Sequence, residues 1–242
     1  MIEDNDWPLH AIVYAIDDDT SFRQSLLRVL GVAGLHAVGY GSAGDFLIDR
    51  VREQPEEGPA CILLDIAMPG PSGIELMRAM AAHATAPPII FVTGRDDVFT
   101  SVDMMKCGAV DYLLKPVCID RILTAVRRAL RIDVERRAAQ LELSDLHLRF
   151  ATLSQTERTV FYGVVHHQLN KQMAVQLNVC ERTVKTLRSR MMEKLQLATV
   201  PGLVRAAKLL EASPPVELSA GRRSAMELGS MQASLRRIEC RV

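Results

Sequence analysis

Four apolar residues, Cys61 to Leu64, run straight into one carboxylate, Asp65, and then into Ile66-Ala67-Met68-Pro69-Gly70-Pro71-Ser72-Gly73. A continuous apolar run without polar alternation reads as a strand buried on both faces, as a parallel sheet requires. Asp65 then stands at the carboxyl end of that strand, the edge where open α/β sheets carry their chemistry. A proline- and glycine-bearing turn follows, and a helical pattern starts at Ile74. Alone, an Asp in that place serves equally well as a cap for the next helix. The rest of the chain separates the two readings.

Similar runs recur on both sides. Ala11 to Ile16 ends in Asp17-Asp18-Asp19-Thr20, where Thr20 is placed to N-cap a helix with Phe22, Leu26, Leu27, Val29 and Leu30 on its apolar positions. Gly31 and Gly34 close it, and Leu35 to Tyr40 forms a second strand. Ser42 opens a helix that buries Phe46, Leu47 and Val51, and Gln54 to Pro59 is a loop. After Asp65 come a helix over 74–82, a strand Ile89 to Thr93, a helix over 97–107, a strand Ala109 to Leu114, and Lys115-Pro116. Five strand–helix alternations predict a doubly wound five-stranded parallel sheet.

Parallel strands bring their carboxyl ends to one edge, so Asp17, Asp18, Asp65, Thr93 and Lys115 gather in one shallow pocket. Clustered carboxylates repel unless a cation neutralises them, and an all-oxygen donor set suits Mg²⁺. A cation, a lysine and a hydroxyl around one Asp suit phosphoryl transfer onto a carboxylate oxygen.

Five motifs in order then resemble the receiver domain of bacterial two-component response regulators. They are Asp17-Asp18, Asp65 with Met-Pro-Gly-x-Ser-Gly, Thr93-Gly94, Gly108-Ala109-x-Asp-Tyr, and Lys115-Pro116. The resemblance implies that Asp65 is the phosphoacceptor and that Mg²⁺ is held by Asp18, Asp17, Asp65 and the Ala67 backbone carbonyl. It also implies that Lys115 pairs with the phosphoryl group, that the Lys115–Pro116 peptide is cis, and that Thr93 and Tyr112 form a switch pair. One rival shares part of the pattern. Asp17-x-Asp19 with Thr93 and Lys115 also resembles the haloacid-dehalogenase phosphatases, but that reading leaves Asp65 and its turn unexplained and lacks a later acidic pair for the metal.

The formal net charge is zero, yet residues 1–130 carry 11 Lys+Arg against 18 Asp+Glu while residues 131–242 carry 18 against 11. That split predicts two domains with different partners, the basic one suited to nucleic acid. No apolar run approaches the ~18 residues of a membrane span. The acidic N-terminus lacks the basic start and apolar segment of a signal peptide. Five scattered cysteines without a CxxC pair point to neither a disulfide framework nor zinc, so a cytoplasmic protein without membrane partners is expected.

From Ile119 the pattern is helical to about residue 148, with Ile122, Leu123, Val126, Leu130 and Val134 on the apolar side. Arg127, Arg128, Arg131, Arg136 and Arg137 then form a solvated face or a nucleic-acid contact. Ser154-x-x-Glu157 is a capping-box pattern ahead of Val160, Phe161, Val164 and Val165. Residues 170–177 read as a short helix and Asn178 as a turn. Glu181 to Leu195 reads as a longer helix, with Val184, Leu187, Met191 and Leu195 toward the core and Arg182, Lys185, Ser189 and Met192 on the other face. Such a pair is a helix-turn-helix, whose second helix enters the major groove.

Leu153-Ser154-x-x-Glu157, Asn170-Lys171-x-Met-Ala174, Glu181-Arg-Thr183-Val184-Lys185, Arg188 and Lys194-Leu195 resemble the LuxR-type DNA-binding domain. The whole chain therefore resembles a FixJ-like response regulator, with an all-α helix-turn-helix domain after the α/β receiver. The expected organisation is a receiver over 1–130, a helical linker over 131–150, the DNA-binding domain over 151–211, and a tail of unassigned role over 212–242. In the tail, residues 225–239 have the spacing of an amphipathic helix or are disordered. The resemblance implies that Thr183, Lys185 and Arg188 contact DNA and that Lys171 and Arg182 neighbour phosphates. The partners are then a sensor histidine kinase, double-stranded DNA, RNA polymerase, and a second copy of the chain when phosphorylated. Such a chain accepts a phosphoryl group without being a turnover enzyme. An output through protein contacts alone, with degenerate DNA binding, is the other reading. Three residues depart from the pattern: His167 where a helix-ending Gly with φ > 0 is usual, Cys180 at the N-cap of the second helix, and Leu187.

Overall fold

The computed structural model describes residues 7–52, 58–68, 76, 77, 80, 86–94 and 108–212. The expected helix over 97–107, the Pro69–Gly73 turn, most of the helix over 74–82, and the tail from residue 213 lie outside the described residues. The chain divides into two compact units at Arg137 and Ala138.

In the first unit five strands, β1 (Ile12–Ile16), β2 (His36–Tyr40), β3 (Ala60–Leu64), β4 (Ile89–Thr93) and β5 (Asp111–Leu114), form one sheet of order β2-β1-β3-β4-β5. Every pairing is parallel. β3 and β4 are buried at every position, which is why their sequences run apolar without alternation. Because side chains alternate along a strand, the sheet feeds two cores. Val13, Ala15, Cys61, Leu63, Ile90 and Val92 pack on one face with Leu26 and Leu30 of α1 (Thr20–Val32) and with α3 (Ile119–Ala151). Tyr14, Ile16, Ile62, Leu64 and Phe91 pack on the other with Phe46 and Leu47 of α2 (Ala43–Arg52) and with Leu76, Met77 and Met80. Full burial holds the Cys61 thiol protonated, its pKa pushed far up.

Four local expectations are corrected. Asp19, not Thr20, caps α1: its carboxylate accepts from the Ser21 and Phe22 N–H groups at 2.9 and 3.1 Å. Gly34 at φ 79° closes that helix, while Gly31 lies inside it. On α3 the inward position after Leu130 is Asp133, fully buried, and Val134 is 40% exposed. The helical face permits either spacing; what selects Asp133 is the N–H of Ala60 at the start of β3, which donates to Asp133 Oδ2 at 2.9 Å. Arg137 Nε donates to the same oxygen at 2.7 Å and Arg136 pairs with the other, so these two arginines have a buried partner and are not simply a solvated face.

The second unit takes the end of α3 and four helices, α4 (Gln155–Val165), α5 (Asn170–Leu177), α6 (Glu181–Leu195) and α7 (Val200–Ala212). Leu153, Phe161, Met173, Val184, Met191, Leu195 and Leu203 form its core. The capping box is formed at both ends: Ser154 N donates to Glu157 Oε2 at 2.8 Å and Glu157 N to Ser154 Oγ at 3.3 Å. Gly163 is required because a Cβ there would lie 2.5 Å from the sulfur of Met173. Three helix ends close in the left-handed region without glycine, at His167 (φ 58°), Asn178 (φ 53°) and Gln196 (φ 54°). At the first, His167 N donates to Val164 O and Gln168 N to Gly163 O, the paired bonds of a Schellman end. Among the described residues no helix is long and apolar enough to cross a membrane.

Candidate functional site

The carboxyl ends of β1, β3, β4 and β5 meet as the topology requires. Asp17 follows β1, Asp65 follows β3, Thr93 ends β4, and Lys115 follows β5. Backbone bonds lock these ends together: Asp65 N donates to Ile16 O at 2.9 Å and Lys115 N to Thr93 O at 2.8 Å. Lys115 Nζ bridges Asp17 Oδ2 at 2.6 Å and Asp65 Oδ2 at 2.9 Å. One carboxylate oxygen from each of Asp17, Asp18 and Asp65 lies within 4.8 Å of the others. Asp17 and Asp65 are buried, whereas Asp18 faces solvent.

Burial pushes Asp17 above the ordinary carboxylate value, against the pull of Lys115. Burial also opposes the charge on Lys115, but the Asp17 and Asp65 carboxylates outweigh it and leave the ammonium a weaker acid than usual. The Phe22 ring supports that ammonium from 4.1 Å, a cation–π contact. Asp65 Oδ1 accepts from the Ala67 N–H at 3.1 Å, and Asp17 Oδ1 from the Asp19 N–H at 3.0 Å. Arg23 of α1 donates to the Asp17 carbonyl. The Lys115–Pro116 peptide is cis. Thr93 is fully buried, and Tyr112 is half-buried beside Phe91 in the register of β5 on β4. Since Phe91 and Thr93 are two apart on one strand, Thr93 and Tyr112 belong to the same sheet face.

In the second unit α5 and α6 are joined through Asn178. Val184, Met191 and Leu195 of α6 are buried, Leu187 partly so. Arg182, Thr183 and Lys185 are exposed on α6, Lys171 is exposed on α5, and Arg188 is half-buried. Met192, expected on the outward face, instead packs against the core. Cys180 has an N-cap backbone but makes no capping hydrogen bond; its sulfur rests 3.2 Å from Thr183 Oγ1, and that hydroxyl holds the thiol below its ordinary pKa. Lys194 Nζ reaches Glu157 Oε2 at 2.7 Å and ties the end of α6 to the start of α4. Lys194, and next the Ser154 N–H, hold the Glu157 carboxyl below the usual range.

The comparison with known proteins follows this division. The response regulator receiver domain model matches residues 13–127, and the model of bacterial regulatory proteins of the luxR family matches residues 151–207. Transcriptional regulatory protein FixJ of Azorhizobium caulinodans is 37% identical over 207 residues, 84% of this chain and 94% of that protein. Nodulation protein W of Bradyrhizobium diazoefficiens is 36% identical over 200 residues, 83% of this chain and 86% of that protein. The solved structure of the response regulator StyR has a TM-score of 0.69 at 33% identity, covering 82% of this chain and 98% of that one. The chain belongs to the FixJ-like response regulators.

As a transcriptional response regulator it joins a receiver to a LuxR-type output domain. The receiver motifs bring together Asp17, Asp18, Asp65, Thr93 and Lys115, the set expected at the strand ends. The phosphatase rival gains nothing, since the Asp19 carboxylate is used in capping α1. Sequence reading missed the contacts of Phe22 and Arg23 at the pocket, the Glu157–Lys194 pair, and α7. Nothing in spacing links Phe22 to Lys115 or Glu157 to Lys194, for those contacts exist only in the folded chain. α7 did carry a signal: Thr199, whose Oγ1 accepts from Gly202 N at 3.2 Å, precedes Leu203, Ala206 and Ala207 at helical spacing.

Proposed function

We propose that Asp65 is the residue this regulator uses to receive a phosphoryl group from a sensor histidine kinase, and that its state sets DNA binding by the second domain. The observation that carries the reading is the Lys115 ammonium held between Asp17 and Asp65 at the carboxyl edge of the sheet. Three carboxylates and one ammonium leave the pocket short of positive charge, so the donor set fits a hard divalent cation. Asp17, Asp18, Asp65 and the Ala67 carbonyl would hold Mg²⁺, which when bound offsets charge on the phosphoryl oxygens. Asp65 supplies the attacking oxygen, and Lys115 is already placed to stabilise the anion formed on it. Thr93, beside Lys115 in the backbone ladder, reports the new charge, and Tyr112 on the same face relays it toward residues 119–130, where a second copy pairs.

Double-stranded DNA is the ligand of the second domain. Thr183, Lys185 and Arg188 on α6 meet the major groove, and Lys171 and Arg182 meet phosphates. One short helix provides few contacts, and non-specific binding of that kind is typically weaker than ~10⁻⁶ M at physiological salt. Pairing two copies on half-sites makes the second contact intramolecular, a gain of roughly 10²–10⁴. RNA polymerase contact follows from the transcriptional role, and the working compartment is the cytoplasm. The functional division is a receiver over 1–130, a helical linker over 131–150, and the DNA-binding domain over 151–211; the tail over 212–242 has no assigned role. The test is incubation with Mg²⁺ and an acyl phosphate, followed by mass spectrometry and light scattering. One phosphoryl group at Asp65, lost in Asp65→Asn, and a monomer-to-dimer shift are expected. Undiminished labelling of Asp65→Asn refutes the assignment.

A further inference from the structure

Lys115 is held from three sides. Its Nζ donates to Asp17 Oδ2 at 2.6 Å and to Asp65 Oδ2 at 2.9 Å, and it stands over the Phe22 ring, 4.1 Å from the centroid. An ammonium carries three N–H donors, so two carboxylates and one ring face account for all of them. The ring is fixed where it is. Phe22 lies in the first turn of α1, its own N–H donates to the Asp19 carboxylate that caps the helix, and its neighbour Arg23 donates to the Asp17 carbonyl. Asp19 N in turn donates to Asp17 Oδ1 at 3.0 Å, which ties the start of α1 to the end of β1. Phe22 is only half-buried against the core on this face of the sheet, so packing leaves part of its ring to the pocket.

The three contacts differ in how they stand up to a divalent cation. The oxygens of Asp17 and Asp65 are the donors such a cation takes, and its charge repels an ammonium close by. A loaded pocket therefore loosens two of the three holds on Lys115 when its charge is needed beside Asp65. A ring face is no ligand for a hard cation, which selects oxygen, so the third hold survives. On the reading of Asp65 as the phosphoacceptor, we propose that Phe22 is a positioning residue for phosphoryl transfer. Its ring keeps the Lys115 ammonium beside Asp65 while a cation occupies the carboxylates. Without the ring, the flexible four-carbon stem of the lysine lets its strongly hydrated ammonium swing to water. A leucine in place of Phe22 keeps an apolar side chain but offers no negative face, whereas a tyrosine keeps both.

The test compares the full chain with Phe22→Leu and Phe22→Tyr, labelled by acetyl phosphate at saturating Mg²⁺ and followed by mass spectrometry. Phe22→Leu should label about three- to tenfold more slowly, the worth of a partly desolvated cation–π contact, and Phe22→Tyr should stay within about twofold of the parent. Placing 3,4,5-trifluorophenylalanine at position 22 keeps the shape of the ring and withdraws its negative face. It should slow labelling as leucine does, and it serves even if the leucine variant fails to fold. A further readout needs no phosphoryl donor. In a ¹³C–¹H spectrum the Lys115 ε-methylene, assigned by its loss in Lys115→Arg, should lie upfield in the ring current of Phe22 and stay there when Mg²⁺ is added. An unslowed leucine variant, or equal slowing by leucine and tyrosine, overturns the proposal. So does an ε-methylene that moves to the ordinary lysine position on adding Mg²⁺. These outcomes, with Asp65→Asn unlabelled, overturn the role of Phe22 alone; label that persists in Asp65→Asn overturns the Asp65 reading and this role with it.

Discussion

Removing the Asp133 carboxylate should destabilise the first unit by about 3 kcal/mol, although the residue meets β3 at the end opposite Asp65. Asp133 is fully buried and receives three donors: Ala60 N at 2.9 Å, Arg137 Nε at 2.7 Å, and Arg136. In Asp133→Ala the Ala60 N–H, itself fully buried, loses its partner, a cost of about 1–3 kcal/mol. The two arginine side chains are 37% and 32% exposed, so they can turn to water, and their ion pairs add only about 1 kcal/mol. The cost therefore sits at the lower edge of the about 3–5 kcal/mol seen when a wholly buried pair is broken. Asp133→Asn keeps an acceptor for Ala60 and should lose about half as much. The chain's single tryptophan makes the assay specific. Trp7 donates to Ala33 O at 2.7 Å and lies 4.8 Å beneath the Arg127 guanidinium, so its fluorescence reports this unit. With a urea slope of about 1–3 kcal/mol per M, the Asp133→Ala midpoint should fall by roughly 1–2 M. A fall below about 0.3 M at unchanged slope, or equal losses in the Ala and Asn variants, would refute the reasoning.

Further outcomes follow from the second unit. His167→Gly and Gln196→Gly each relieve a left-handed non-glycine residue and should add about 1 kcal/mol, independently of one another, in thermal unfolding followed at 222 nm. Cys180→Ser restores the missing cap of α6 and should add about 1 kcal/mol by the same measurement. Gly163→Ala forces a methyl group against the buried Met173 sulfur and should cost about 1–3 kcal/mol. Because Glu157 is held below its ordinary pKa, its contribution is complete above the unfolded-state value near about 4.3 and is lost as pH falls through the lower folded value. Glu157→Gln should remove that acid-side slope from the melting profile, and an unchanged slope would place it elsewhere.

Most of the fold was legible because the constraints were local. Runs such as Cys61–Leu64 and Ile89–Val92 are apolar without alternation because both faces are covered, and each ends in a polar residue because the sheet stops there. The capping box at Ser154 and the core stripe of α6 are likewise written within a few residues. Errors arose where two candidates lay side by side and a distant partner decided. Asp19 and Thr20 both have the chemistry of an N-cap. Asp133 and Val134 both continue the face of α3, and only Ala60, 73 residues away, selects the carboxylate. The Arg136 and Arg137 charges read as a solvated stripe for the same reason.

The two edges of the sheet show why one carboxylate is visible in sequence and the other is not. At the strand starts, backbone N–H groups need acceptors, and neighbouring segments supply them: Ile12 N uses Pro59 O, and Val110 N, just before β5, uses Ile89 O. Ala60 N has Asp133, so β3 carries a buried, ion-paired carboxylate at each end. Burial and pairing thus do not distinguish the proposed phosphoacceptor from a structural carboxylate. What distinguishes them is spare capacity. Asp133 spends its oxygens on three donors of its own unit, the Ala60 N–H and the Arg136 and Arg137 guanidinium groups. Asp65 accepts one N–H and half of a lysine that Asp17 also claims, beside the solvent-facing Asp18. A carboxylate has room for about four hydrogen bonds. Asp65 therefore keeps unused lone pairs, as the proposed phosphoacceptor needs, and Asp133 is better placed to hold the helix that follows β5 against the strand that carries Asp65.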